Sequence, residues 1–140
     1  MSNCVFCRIL AREIPAHVIL DTPACLAFLD VSPLSEGHLL AIPRRHVERL
    51  DQLSEDEAAG LARLLPRLSR AVLGATGAPG LNILQNNGSE AGQVVPHVHF
   101  HLIPRRANDG LGYRWNAGRY SAGRVEAVRD ALLNALRNDP

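Results

Sequence analysis

Three histidines alternate along five residues of this chain, His97-Val98-His99-Phe100-His101. Successive side chains of a β-strand point to opposite faces, so on a strand His97, His99 and His101 share one face while Val98, Phe100 and Leu102 take the other. Neighbouring imidazoles in such a row stand about 6–7 Å apart, twice the ~3.3 Å rise per residue. A buried polar group left unpaired costs about 1–3 kcal/mol, so a row of three calls for a use. Two uses fit. His-x-His on a strand supplies two ligands to a catalytic zinc. Alternatively, a neutral imidazole attacks phosphorus while a backbone carbonyl fixes its other nitrogen, and a second histidine holds the phosphate oxygens or the leaving group. Spacing alone leaves both open.

The residues just before the row favour phosphate. In Asn86-Asn87-Gly88-Ser89-Glu90-Ala91-Gly92-Gln93, two glycines let the backbone approach a ligand, and Asn86, Ser89 and Gln93 offer neutral donors. The same segment also reads as a plain hairpin turn around Asn87-Gly88. Cys4-x-x-Cys7 is one half of a tetrahedral metal site, or a pair of free thiols. Cys25 lies in the apolar run Cys25-Leu26-Ala27-Phe28-Leu29 and reads as an inert core residue.

The elements that must carry these groups follow from periodicity. A short helix is predicted over 5–12, stopped before Pro15. Strands are predicted over 17–20 and 25–30, with a turn at Asp21-Thr22-Pro23. A third covers 38–42 and ends at Pro43. Ser54 and Glu57 form a capping box that starts the strongest helix. Leu61, Leu64, Leu65, Leu68 and Val72 recur along it at helical spacing. Pro66 must kink or break this helix, and Gly74 and Gly77 mark its end. Two more strands cover 81–85 and 97–104, and the tail over 121–137 is an amphipathic helix. No pair of strands needs a βαβ crossover. The expected fold is therefore α+β, an antiparallel sheet with helices packed on one face.

With 140 residues, 46% apolar and 21% charged, the chain suits one soluble domain with a real core. A formal net charge of +1 argues against bulk nucleic acid or an anionic membrane as partner. No stretch approaches the roughly 18 apolar residues of a spanning helix, and the start does not read as a signal peptide, so the cytoplasm is the default location. The three cysteines are an odd number, which argues against a disulfide framework. The helical face between Leu61 and Val72 is the candidate surface for self-association.

The run His97-Val98-His99-Phe100-His101-Leu102-Ile103 resembles the signature of the histidine triad (HIT) family. Five further blocks agree in the same order: 4–9, 13–16, 27–33, 37–46 and 86–93. The resemblance spans about residues 4–105, within a single domain over 1–140 whose segment 106–140 is a C-terminal extension. It is similar to the Hint-like branch. That resemblance implies a five-stranded antiparallel sheet, extended to ten strands in a homodimer. It implies that His99 attacks the α-phosphorus of a purine nucleotide and becomes nucleotidylated. The carbonyl of His97 would orient its ring, His101 would contact the α-phosphate and leaving group, and His38 would complete the set.

Asp30 would bind the ribose hydroxyls, although its place before Pro33 also suits a turn cap. Phe6, Phe28, Leu29 and Val31 would line the purine pocket, and Asn86 and Gln93 would hold the phosphate or leaving group. Cys4, Cys7, His46 and His97 would hold a structural zinc, leaving His99 and His101 as the chemical pair. The implied activity is nucleoside phosphoramidase, with dinucleoside polyphosphate hydrolysis or nucleotidyl transfer as alternatives within the family. A non-catalytic nucleotide-binding module is the alternative outside it. The sequence departs at Val94, where Hint-like members often carry a serine near the leaving group. It departs again in its tail, with Tyr113, Trp115 and Tyr120, which is longer than in the small animal members.

Overall fold

The computed structural model describes residues 3–112 and 117–139, so Tyr113 and Trp115 of the tail lie outside the described residues. The chain runs α1 (Val5–Leu10), β1 (Val18–Asp21), β2 (Leu26–Leu29), β3 (Leu39–Ile42), α2 (Glu55–Ala62), α3 (Leu65–Thr76), β4 (Gly80–Gln85), β5 (Phe100–Arg105) and α4 (Arg124–Arg137). The five strands form one sheet in the order β1-β2-β3-β5-β4, and every pairing is antiparallel. No helix among the described residues is long and apolar enough to cross a membrane.

Both faces of the central strands are covered. Ala27, Leu39, Ala41 and Leu102 pack with Leu61, Leu68 and Val72 of α2 and α3, and Phe100 joins them. The alternate residues Leu26, Phe28, Leu40 and Ile42 pack with Phe6 on the other face. That is why β2 and β3 read as continuous apolar runs rather than alternating ones. It also corrects the expectation that helices occupy one face only, because α1 lies opposite α2 and α3. The proposed self-association surface is corrected too. Leu61, Leu68 and Val72 are 1%, 2% and 6% exposed, turned inward onto the sheet. Exposed apolar side chains stand instead at the sheet edges, Ile83 and Leu84 on β4 and Val18 and Ile19 on β1. Those of α4, including Val125, Leu132 and Leu136, are also exposed.

Pro66 splits the predicted helix into two. It sits in the first turn of α3, where its missing N–H costs nothing. The helix then runs through Gly74 and ends at Gly77, which takes the left-handed conformation at φ 63°. The capping box at Ser54 is formed: Ser54 Oγ accepts from the Glu57 N–H at 3.2 Å, and the Ser54 N–H donates to Glu57 Oε2 at 2.9 Å. Replacing Ser54 by Ala is expected to cost about 1 kcal/mol, read as a shift in the urea midpoint with an unchanged slope.

The strand predicted over 97–104 is shorter, beginning at Phe100. Its ladder stops there because β4 ends at Gln85, opposite Phe100. On the other side β3 gives way to Pro43, which has no N–H to donate. The segment 97–99 is held differently, with the Val98 N–H donating to the Val47 carbonyl at 2.8 Å. This loss of ladder pairing lets His97 and His99 serve two separate sites.

Candidate active site

His99 is held by one hydrogen bond and two ring contacts. Its Nδ1 lies 2.6 Å from the carbonyl oxygen of His97. A carbonyl can only accept, so Nδ1 carries the proton and Nε2 carries the lone pair. Phe6 meets the His99 ring edge-to-face at 5.2 Å, and the His101 ring stands 4.8 Å away. His99 is 5% exposed, so its tautomer and rotamer are fixed by packing as well as by the hydrogen bond.

His101 and His38 form a directional chain. The Leu34 N–H, which can only donate, reaches His38 Nδ1 at 3.1 Å. Neutral His38 therefore carries its proton on Nε2, which lies 2.9 Å from His101 Nδ1. His101 Nδ1 accepts that proton, and its own proton sits on Nε2. His38 is brought here by Gly37, whose φ of +92° suits glycine alone and whose Cβ position lies 2.5 Å from the Thr76 methyl. Asp30 closes the group. Its Oδ1 accepts from the Ser32 N–H at 2.8 Å, the turn-capping role, while its Oδ2 lies 3.8 Å from His38 Nε2. The Asp30, His38 and His101 donor atoms are close enough to hold a metal, and in this arrangement the two facing nitrogens hydrogen-bond to each other.

Burial pushes the pKa of His38 and His101 down, His101 to about 4 with neighbouring His99 and His38 adding to the effect. Burial lowers that of His97 as well, partly opposed by its bond to the Pro43 carbonyl. A histidine whose pKa is depressed on folding stabilises the fold above its unfolded value of about 6.5 and withdraws that contribution as pH falls towards the folded value. The melting temperature of the metal-free protein is therefore expected to drop as pH is lowered from about 6.5 towards 4, the window that His101 sets. Calorimetry across a pH series checks this, and His101→Asn should flatten part of the slope.

The ring of His97 belongs to a different cluster, which divides the expected row of three imidazoles. His97 Nδ1 lies 3.6 Å from both Cys4 Sγ and Cys7 Sγ and 3.3 Å from His46 Nδ1, and Cys7 Sγ lies 3.3 Å from His46 Nδ1. Around a tetrahedral zinc, with Zn–S about 2.3 Å and Zn–N about 2.0–2.1 Å, ligand atoms stand about 3.3–3.4 Å apart for N···N and about 3.5–3.6 Å for S···N. Three of these distances match that frame, the Cys7–His46 distance is about 0.2 Å shorter, and all four ligand atoms lie within 4.8 Å of one another. His97 Nε2 lies 3.2 Å from the Pro43 carbonyl, so it carries the proton and leaves Nδ1 free to ligate. His97 thus offers its ring to this cluster and only its carbonyl to His99. A catalytic zinc on all three histidines is incompatible with these orientations.

The remaining predicted site residues divide. Phe6 and Phe28 are 6% and 3% exposed and pack edge-to-face at 5.6 Å, forming a wall behind the imidazoles. Leu29 is half-buried, and Val31 is 81% exposed. The Gln93 side chain, expected to hold phosphate, bonds to three backbone groups. Its amide donates to the Glu48 and Val95 carbonyls at 2.6 and 3.0 Å, and its oxygen accepts from the Gly88 N–H at 2.7 Å. These bonds fix the loop beside the histidines. Sequence reasoning missed Asn87, whose Oδ1 accepts from the Leu50 N–H at 2.7 Å and from Gln85 Nε2 at 3.1 Å, tying the loop to the segment before α2. The only signal was an Asn-Gly pair that reads as a turn. Val94 is 90% exposed.

Comparison with known proteins shows the family of the chain. The HIT-domain family model matches residues 11–108. The adenosine 5'-monophosphoramidase of Schizosaccharomyces pombe is 35% identical over 136 residues, covering 96% of this chain and 99% of that protein. An adenylylsulfatase of Arabidopsis thaliana is 39% identical, covering 97% of this chain and 68% of that one. The crystal structure of a HIT family member from Bacillus subtilis superposes with a TM-score of 0.90 at 34% identity, covering 95% of this chain and 96% of that chain. A zinc-bound histidine triad protein from Mycobacterium smegmatis superposes with a TM-score of 0.73 at 36% identity, covering 96% and 97%. With its paired imidazoles, its separate cysteine–histidine cluster and a five-stranded antiparallel sheet, this chain belongs to the HIT-domain family.

Proposed function

We propose that this protein hydrolyses nucleotide phosphoramidates and related α-phosphoryl anhydrides of purine nucleotides through a covalent nucleotidyl-His99 intermediate. The single observation that carries the reading is the 2.6 Å bond from His99 Nδ1 to the His97 carbonyl. It leaves Nε2 as the nucleophilic nitrogen, and it stabilises the positive charge that grows on the ring as Nε2 bonds to phosphorus. In that step the phosphorus–nitrogen bond to the leaving amine breaks, neutral His101 donates a hydrogen bond from Nε2–H to the leaving nitrogen, and that nitrogen takes up a proton from solvent. Water then attacks phosphorus and releases its proton to solvent, and the nucleoside monophosphate leaves as the His99–phosphorus bond breaks. The chain from Leu34 through His38 supports His101 Nε2–H as the hydrogen-bond donor.

In this reading the free oxygen of Asp30 accepts from the ribose diol, and Asn86 donates to the phosphate. Phe6, Phe28, Leu29 and Val31 face the base. Zinc, held by Cys4, Cys7, His46 and His97, would tie α1 to the segment that carries His99, and its ligands leave no position for substrate. The names of the yeast phosphoramidase and the plant adenylylsulfatase support attack at an α-phosphorus with either an amine or sulfate leaving. An odd number of cysteines, three, suits the reducing cytoplasm. The exposed β4 edge suits a second copy of the chain, which would extend the sheet to ten strands. Rapid quenching of the protein with adenosine 5'-phosphoramidate, followed by peptide mass spectrometry, tests the proposal: an adenylyl adduct on His99 is expected. Saturable binding without turnover would instead make the protein a nucleotide-binding module.

A further inference from the structure

The stretch between β2 and β3 delivers His38, yet little of it is packed. Val31, Ser32, Pro33, Leu34 and Glu36 are exposed, and Ser35 and Gly37 are half-buried. A loop with few apolar contacts opens easily unless hydrogen bonds hold it. Four of its bonds are local. The Ser32 N–H donates to Asp30 Oδ1 at 2.8 Å and the Leu34 N–H to His38 Nδ1 at 3.1 Å. The His38 N–H donates to the Ser35 carbonyl and the Asp30 N–H to the His38 carbonyl, both at 3.0 Å. Each closes within a few residues, so none fixes the loop relative to the strand that carries His101.

One bond crosses to that strand. Ser35 Oγ donates to the Pro104 carbonyl of β5 at 2.7 Å. β3 begins at Leu39, opposite Leu102, so its backbone ladder with β5 has ended before Pro104 is reached. The hydroxyl makes the tie where the ladder stops. Among the described residues, Ser35 is the only side chain from 31 to 37 that hydrogen-bonds to another element.

This tie bears on where a proton sits. Leu34 adjoins Ser35, and its N–H keeps the His38 proton on Nε2. Released from that N–H, neutral His38 can carry its proton on Nδ1 instead. Its Nε2 then accepts from His101 Nδ1–H, and His101 Nε2 is left with a lone pair where the leaving nitrogen needs a donor. Both arrangements are neutral and hold the same two ring protons. The Asp30 carboxylate favours the first of them but stands 3.8 Å from His38 Nε2, beyond hydrogen-bond reach. We propose that Ser35 is a positioning residue of the His38–His101 pair: its bond to Pro104 holds the Leu34 N–H in the frame of β5 and so keeps a donor on His101 Nε2. The tautomer half of this inference needs no substrate. The kinetic half rests on the role proposed above for His101 at the leaving nitrogen.

Ring-nitrogen NMR of the whole protein with isotope-labelled histidine tests the first half, because protonated and lone-pair nitrogens resonate far apart. His38 and His101 are each expected to carry the proton on Nε2. In Ser35→Ala both are expected to give averaged shifts while the melting curve shows an intact fold. Ser35→Thr, which keeps the hydroxyl, should restore the native pair. Single turnover reads the second half. Ser35→Ala is expected to slow adduct formation about fivefold to tenfold with an amine leaving group, the weight of one neutral hydrogen bond, and to leave a nitrophenolate leaving group unaffected. Native tautomers in Ser35→Ala, or an equal loss with both leaving groups, would overturn the proposal. If the native protein turned over no nucleotide while Ser35→Ala still mixed the tautomers, the proposed function would fall and Ser35 would keep this role.

Discussion

His99→Asn is expected to reduce release of nucleoside monophosphate by about a thousandfold or more, about 4 kcal/mol of transition-state stabilisation, with the fold retained. Asparagine keeps a donor towards the His97 carbonyl but has no second nitrogen to bond phosphorus. His101→Asn removes the ring N–H at the leaving nitrogen and not the nucleophile, so its loss is expected to be about 10²–10⁴-fold and to depend on the leaving group. A nucleotide ester with a good leaving group needs no proton in the first step, so it should restore adduct formation in His101→Asn and not in His99→Asn. Single-turnover mass measurements with an amine and a nitrophenolate leaving group separate the roles. Equal losses with both leaving groups in His101→Asn would show that His101 does not act on the leaving group.

The second large effect concerns stability. The four ligand atoms of Cys4, Cys7, His46 and His97 come from α1, the segment after β3 and the segment before β5. A metal there cross-links three parts of the chain. If zinc is present at about a thousand times its dissociation constant it contributes about 4 kcal/mol. For a chain of this size that corresponds to about 10 °C in melting temperature. Chelation, or Cys7→Ser, is expected to lower the melting point by about that amount, and added zinc should restore the chelated protein but not the variant. Activity should decline with the melting curve, because Phe6 on α1 packs on His99 and His97 supplies its carbonyl. Activity lost at temperatures where the fold is intact would mean that the metal takes part in the chemistry.

The sequence read alone determined a good deal of this protein. Alternation of His97, His99 and His101 with apolar residues marked the segment on which the proposed chemistry rests, although the strand itself begins only at Phe100. The capping box at Ser54 and the break at Pro66 are likewise local, set by backbone hydrogen bonding within one turn. The order of blocks identified the family and its sheet. Tertiary structure decided what each imidazole does. The ring of His97 turns to Cys4 and Cys7, about ninety residues away in the chain, because the Pro43 carbonyl fixes its proton on Nε2. His38 and His101 share a proton because β3 pairs with β5, and Leu34 fixes its direction. Gln93 reaches the Glu48 carbonyl, which no spacing rule brings near it. Tautomers and ligand sets depend on which donors and acceptors meet, and those meetings are set by packing across the sheet, not by separation along the chain.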